Sequence, residues 1–180
     1  LDWEFSIMDG ISVIDNNIRT ISVGNESCNL YINNTHKARE NSICLQSMID
    51  EAHDIAVRNN NIQQTVIVPR GAYYFAWTGM RTKEQNGALV YDTSLGEYYC
   101  IKLKSYVKIV GEGNSRVIRS DINPDNFAIF YPYDGTEFYG DSSLPSAANS
   151  RVDMFYFNDY ADSSFDNKNY LVNADFSNFV

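Results

Sequence analysis

Apolar residues recur at three- and four-residue steps in one clear stretch of this chain. Leu45, Met48, Ile49, Ala52, Ile55 and Ala56 fall on one face of a helix, while Gln46, Asp50, Glu51, Asp54 and Arg58 occupy the others. Asn41 or Ser42 precedes the stripe. A short side-chain oxygen there can accept a hydrogen bond from a free first-turn amide, so the helix is expected to start at one of them. It should end in Asn59-Asn60-Asn61, since asparagine tolerates the left-handed backbone. His53 lies off the apolar stripe and is read as solvent-facing.

The rest of the chain carries the two-residue period of strands. Ile11–Ile14, Ile18–Val23 and Asn29–Ile32 are short candidates in the first forty residues, with Asp15-Asn16-Asn17 as a turn. Thr65–Val68 is stopped by Pro69-Arg70-Gly71, and Ala72–Trp77 follows. Residues 79–96 are polar, carry three glycines and read as an insertion. Tyr99–Val110 alternates well but shifts phase at Ser105-Tyr106, where a bend is expected. Arg116–Arg119, Phe127–Tyr131, Met154–Phe157 and Tyr170–Val180 complete the set.

One helix near the start, many short strands and tight Gly- or Asn-bearing corners suit a mainly β fold. They predict a right-handed parallel β-helix, a solenoid begun by a capping α-helix. Residues 1–40 would form an irregular β-rich lead-in or cap. Residues 41–180 would supply the capping helix and the first coils, continuing beyond Val180, because a solenoid that stops on an apolar strand leaves unpaired backbone.

Composition narrows the function classes. The formal net charge is −9, from 23 acidic and 14 basic residues. That argues against a broad phosphate-contacting face for nucleic acid and against adhesion to anionic lipid. It is compatible with a neutral glycan, or with an acidic one bridged by Ca²⁺. No apolar run reaches membrane-spanning length. Cys28, Cys44 and Cys100 are odd in number and widely spaced, so they predict no disulfide framework. They offer no metal-ligand spacing either. The 13 tyrosines and 10 phenylalanines are a high share, and tyrosine suits half-exposed strands and sugar-facing surfaces.

Residues 42–120 resemble the opening of the pectate lyase-like superfamily. The resemblance rests on four pieces in order. They are Leu45-Gln46-Ser47-Met48-Ile49-Asp50-Glu51-Ala52, Val66-Ile67-Val68-Pro69-Arg70-Gly71-Ala72-Tyr73, Ile101-Lys102-Leu103-Lys104-Ser105 and Val107-Lys108-Ile109-Val110-Gly111-Glu112-Gly113. The family's usual Asp-Phe-Gly-Ala lead-in is missing, which points away from secreted plant-wall lyases and towards a phage tailspike or appendage. The resemblance implies a chain that binds, and in its enzymatic form cleaves, a host cell-surface polysaccharide or cell-wall glycopolymer. Its setting would be the virion, with a secreted or cell-surface setting as the alternative. Its partners would be the glycan and either two further copies in a trimer or other virion proteins, with no nucleic acid and no membrane insertion. Two other functions compete: a cellular polysaccharide lyase, hydrolase or epimerase, and a purely structural shaft or cap.

No catalytic residue can be assigned, because the family's catalytic groups sit on middle coils. The local stretch best suited to a sugar is 131–141. Tyr131, Tyr133 and Tyr139 could stack on rings, and Asp134, Glu137 and Asp141 could hold hydroxyls or Ca²⁺. Trp77 joins them, from an aromatic group with Tyr73, Tyr74, Tyr98 and Tyr99 that flanks the insertion. The competing reading is a surface loop with aromatics packed beneath it.

Overall fold

In the computed structural model the described residues are 15–80, 82–91, 97–113, 128–133, 151–156 and 171–177. The chain starts with a hairpin of β1 (Ile18–Val23) and β2 (Glu26–Tyr31), antiparallel and paired from Ile18–Tyr31 to Val23–Glu26. A 3₁₀ turn, Thr35–Lys37, leads into α1 (Ala38–Arg58). Then come β3 (Gln64–Val68), β4 (Gly71–Ala76), β5 (Gly79–Met80), β6 (Thr82–Gln85) and β7 (Ala88–Tyr91). The later strands are β8 (Glu97–Lys102), β9 (Val107–Gly111), β10 (Ala128–Tyr133), β11 (Arg151–Tyr156) and β12 (Asp175–Ser177).

Among the described residues these strands make five sheets of two or three strands each. Three contain parallel pairs: β3 and β12 flank β9, β4 pairs with β10, and β8 pairs with β11. The others are antiparallel, namely β1 with β2 and β6 with β7, and β5 joins the edge of β8 antiparallel. The architecture is mixed α/β: one long helix and several short sheets. This corrects the expected mainly β, right-handed parallel β-helix. Short apolar strands and glycine corners are common to both arrangements. The antiparallel segments and the helix's share of the core decide between them.

The helix is longer than its stripe suggests. It begins at Ala38, so Asn41 and Ser42 lie inside it and are fully buried rather than capping it. The apolar face is as expected: Leu45, Met48, Ile49, Ala52 and Ala56 are buried, and Ile55 packs against their cluster. The helix ends where Asn60 and Asn61 take positive φ angles of 55° and 62°.

The main core joins that face to Ile21, Val23 and Leu30 of the hairpin, to Val66, Val68, Tyr73, Phe75, Ile101, Val107, Ile109 and Phe130 of the sheets, and to Leu103 just after β8. Hydrophobic contact thus crosses residue 40, the expected limit of the lead-in. The bend expected at Ser105-Tyr106 is present, with Tyr106 at φ 63°. The insertion contains a hairpin whose turn, Asn86-Gly87, has φ angles of 54° and 77°, the left-handed pair that tight hairpins prefer.

Cysteine pairing is a second correction. Cys28 of β2 and Cys44 of α1 form a disulfide, with Cα atoms 5.6 Å apart. Sequence spacing hid it, because only the packing of the hairpin on the helix brings two residues sixteen apart into reach. Cys100 is buried, and its thiol donates to the Phe75 carbonyl at 3.3 Å.

Candidate functional site

Along β4 side chains alternate between two faces, and on the face away from the main core Ala72 and Ala76 are buried while Tyr74 is half-buried. Tyr73 and Phe75 point inward. Phe130 of β10 meets Phe75 edge-on at 4.9 Å and Tyr73 at 6.4 Å between ring centroids. Tyr73 donates its hydroxyl to the carbonyls of Pro69 and Arg70, and burial pushes its phenol well above the ordinary tyrosine range.

The next residue on each strand points the other way. The register pairs Tyr74 with Tyr131, and their rings stack at 5.2 Å with planes 27° apart. Tyr131 keeps 42% of its surface exposed. The result is a stacked aromatic pair, one ring exposed and one half-buried, on the face of β4 and β10 opposite the buried aromatic layer. Such a pair suits a ring that is apolar on one side and hydroxylated at its rim.

The backbone edge of β4 is finished by the elements around α1. Its outward carbonyls belong to Ala72, Tyr74 and Ala76, and each receives a donor. Asn33 N–H reaches Ala72, the Asn41 amide reaches Tyr74 at 3.0 Å, and the Ser42 hydroxyl reaches Ala76 at 2.6 Å. Asn41 also accepts from the Tyr31 N–H at 2.7 Å and donates to the Tyr31 carbonyl at 2.9 Å. One buried amide therefore stands in for a strand between β2 and β4. Gln46 does the same at Lys102, accepting from its N–H at 2.7 Å and donating to its carbonyl at 3.1 Å. His53 is half-buried rather than solvent-facing. Its Nδ1 lies 2.9 Å from the Ser105 carbonyl, which can only accept, so Nδ1 carries the proton.

Three of the expected site residues, Trp77, Tyr131 and Tyr133, are described. Tyr131 is at the surface in the Tyr74 stack. Tyr133 lies in β10 opposite Ala76. Trp77 is 1% exposed and packs against Tyr98 at 4.8 Å, so it fills the interior. Asp134, Glu137, Tyr139 and Asp141 lie outside the described residues, and with them the expected Ca²⁺ ligands. Of the aromatics flanking the insertion, Tyr73 and Tyr98 are buried, while Tyr74 and Tyr99 reach the surface. Tyr99 stacks on Tyr156 at 4.7 Å with planes 7° apart. It lies so close to Gly79 that a Cβ there would collide with its ring. Sequence reasoning missed Asn41 as a positioning residue. The signal was present, since Asn41 falls four residues before Leu45 on the apolar face, where a cap has no reason to be.

Among the described residues no group of three or more His, Cys, Asp or Glu could hold a metal ion, and no helix is long and apolar enough to cross a membrane. Comparisons with protein-family models, curated proteins and solved structures find no match.

Proposed function

We propose that this chain binds a glycan, a host cell-surface polysaccharide or cell-wall glycopolymer, as part of a phage tail appendage. The observation that carries the binding reading is the Tyr74–Tyr131 stack, with Tyr131 exposed and Tyr74 half-buried, on the strand face opposite the buried Tyr73, Phe75 and Phe130. The virion setting rests on the sequence resemblance alone. No described residue is assigned to cleavage. Full-length chain incubated with capsular and cell-wall polymers should bind at least one, and Tyr131→Ala should weaken that binding about tenfold, a loss of ~1.4 kcal/mol. Unchanged binding in the variant would remove the stack from the site.

The second reading is a structural cap. It is favoured by the way Asn41, Ser42 and Gln46 occupy the backbone edges of β4 and β8. A chain that binds no polymer, yet loses its fold when these side chains are replaced, would support the cap and sink the glycan reading.

A further inference from the structure

The tyrosine pair has a third member, reached through Asn41. Leu30, Tyr73 and Phe130 are all buried in the same core. Residues alternate sides along a strand, so Tyr31, Tyr74 and Tyr131, one step after each, leave the core on the outer side. Ile32 and Tyr73 form an antiparallel bridge. Continued by one residue, that register sets Tyr31 across from Tyr74, and the Asn41 amide fills the gap by bonding to the backbone of both. On the far side Tyr74 is in register with Tyr131. The three tyrosines therefore hold successive register positions across the strands, with the rings of Tyr74 and Tyr131 in contact.

The Tyr31 end of that series carries a cation. Lys37 Nζ stands 5.2 Å from the Tyr31 ring centroid. It also pairs with Glu40 at 2.7 Å, but both side chains are substantially exposed, at 39% and 51%. An exposed pair of this kind is held weakly and exchanges readily for another carboxylate. His36 and Arg39 flank Lys37 in sequence, so basic residues gather here in a chain whose net charge is −9.

We propose that Tyr31 and Lys37 form a further subsite, that it takes a sugar unit bearing an anionic group, and that the ligand is a linear acidic glycan lying across the strands from Lys37 to Tyr131. This rests on the reading of the Tyr74–Tyr131 pair as a glycan surface. Tyrosine faces and hydroxyls serve neutral and acidic sugars alike. The ammonium at one end discriminates, because a carboxylate or phosphate gains a charge-assisted hydrogen bond that a hydroxyl does not.

The test uses labelled full-length chain on an array that carries neutral, uronate-bearing, sialate-bearing and phosphate-bearing glycans. Wild type should label acidic chains in preference to neutral ones, and added salt should narrow the difference. Lys37→Gln should weaken labelling of the acidic chains roughly tenfold and leave the neutral ones unchanged. Tyr131→Ala should weaken both classes together. Lys37 is surface-exposed, and an unchanged urea midpoint for Lys37→Gln checks that the fold is intact. Equal labelling of neutral and acidic chains, or acidic labelling indifferent to Lys37→Gln, overturns the acidic subsite and leaves the glycan surface standing. No labelling of any glycan by wild type overturns the glycan reading and this inference with it.

Discussion

Replacing Asn41 by leucine tests whether one amide holds the hairpin, the helix and β4 together. Asn41 is fully buried and makes three hydrogen bonds to backbone groups 10 and 33 residues away in sequence. Leucine has similar bulk but no partner for any of them. A backbone N–H left in the interior costs about 2 kcal/mol, and each half-buried carbonyl of Tyr31 and Tyr74 costs about 1 kcal/mol, so the loss is about 4 kcal/mol. Apolar burial of the new side chain returns roughly 2 kcal/mol. The net loss of about 2 kcal/mol is a large part of the 5–15 kcal/mol that typically holds a domain folded. Urea unfolding reads it as a lower midpoint at unchanged slope. Glu40→Ala, one residue away in the exposed pair with Lys37, is the control and should shift stability by less than about 0.5 kcal/mol. If Asn41→Leu unfolds within about 0.5 kcal/mol of wild type, the amide is not the strand substitute described above.

Three further outcomes follow from the packing. Replacing Cys28 and Cys44 by serine frees a loop closed over sixteen residues and should cost about 3 kcal/mol, seen as a lower midpoint that dithiothreitol reproduces in wild type but not in the variant. Gly79→Ala places a methyl against the Tyr99 ring, so Tyr99 must move off Tyr156; a loss of about 1–3 kcal/mol is expected, and a neutral result would show that the stack is loose. Tyr73→Phe removes the hydroxyl that donates to Pro69 and Arg70 and should cost about 1 kcal/mol at neutral pH. Burial raises the Tyr73 pKa in the folded state, so its contribution is full below the ordinary tyrosine pKa of about 10 and is lost as pH rises above it. Stability measured across alkaline pH should therefore fall less steeply in Tyr73→Phe than in wild type.

Much of the local structure was legible because periodicity reports burial directly. The face from Leu45 to Ala56, the alternation around Ile101 and Ile109, and the phase change at Tyr106 all correspond to what is buried or bent. The assembly of those pieces was less legible. Strand period says nothing about which strands pair or in which direction, so the same short runs suited a solenoid as well as short mixed sheets. The Cys28–Cys44 bond and the Asn41 bridge depend on tertiary contacts between segments whose sequence separation carries no signature. The aromatic site was half legible. Tyrosine-rich segments were visible, but the strand's phase sends Tyr131 outward, and Trp77 packs in the interior against Tyr98. Only the register shows that Tyr74 is the partner of Tyr131.

The amides of Gln46 and Asn41 have a consequence for how this chain behaves among its own copies. An open strand edge is a template on which a neighbouring molecule can add a strand, and crowded copies then grow into aggregates. Here hydrogen bonds from helix side chains occupy Lys102, Tyr74 and Ala76, positions where a foreign strand would have to dock. Side chains cannot be extended by another molecule as a strand can. The helix thus ends backbone pairing at these positions as well as filling the core, which limits the strand addition by which copies of a short-stranded chain join edge to edge.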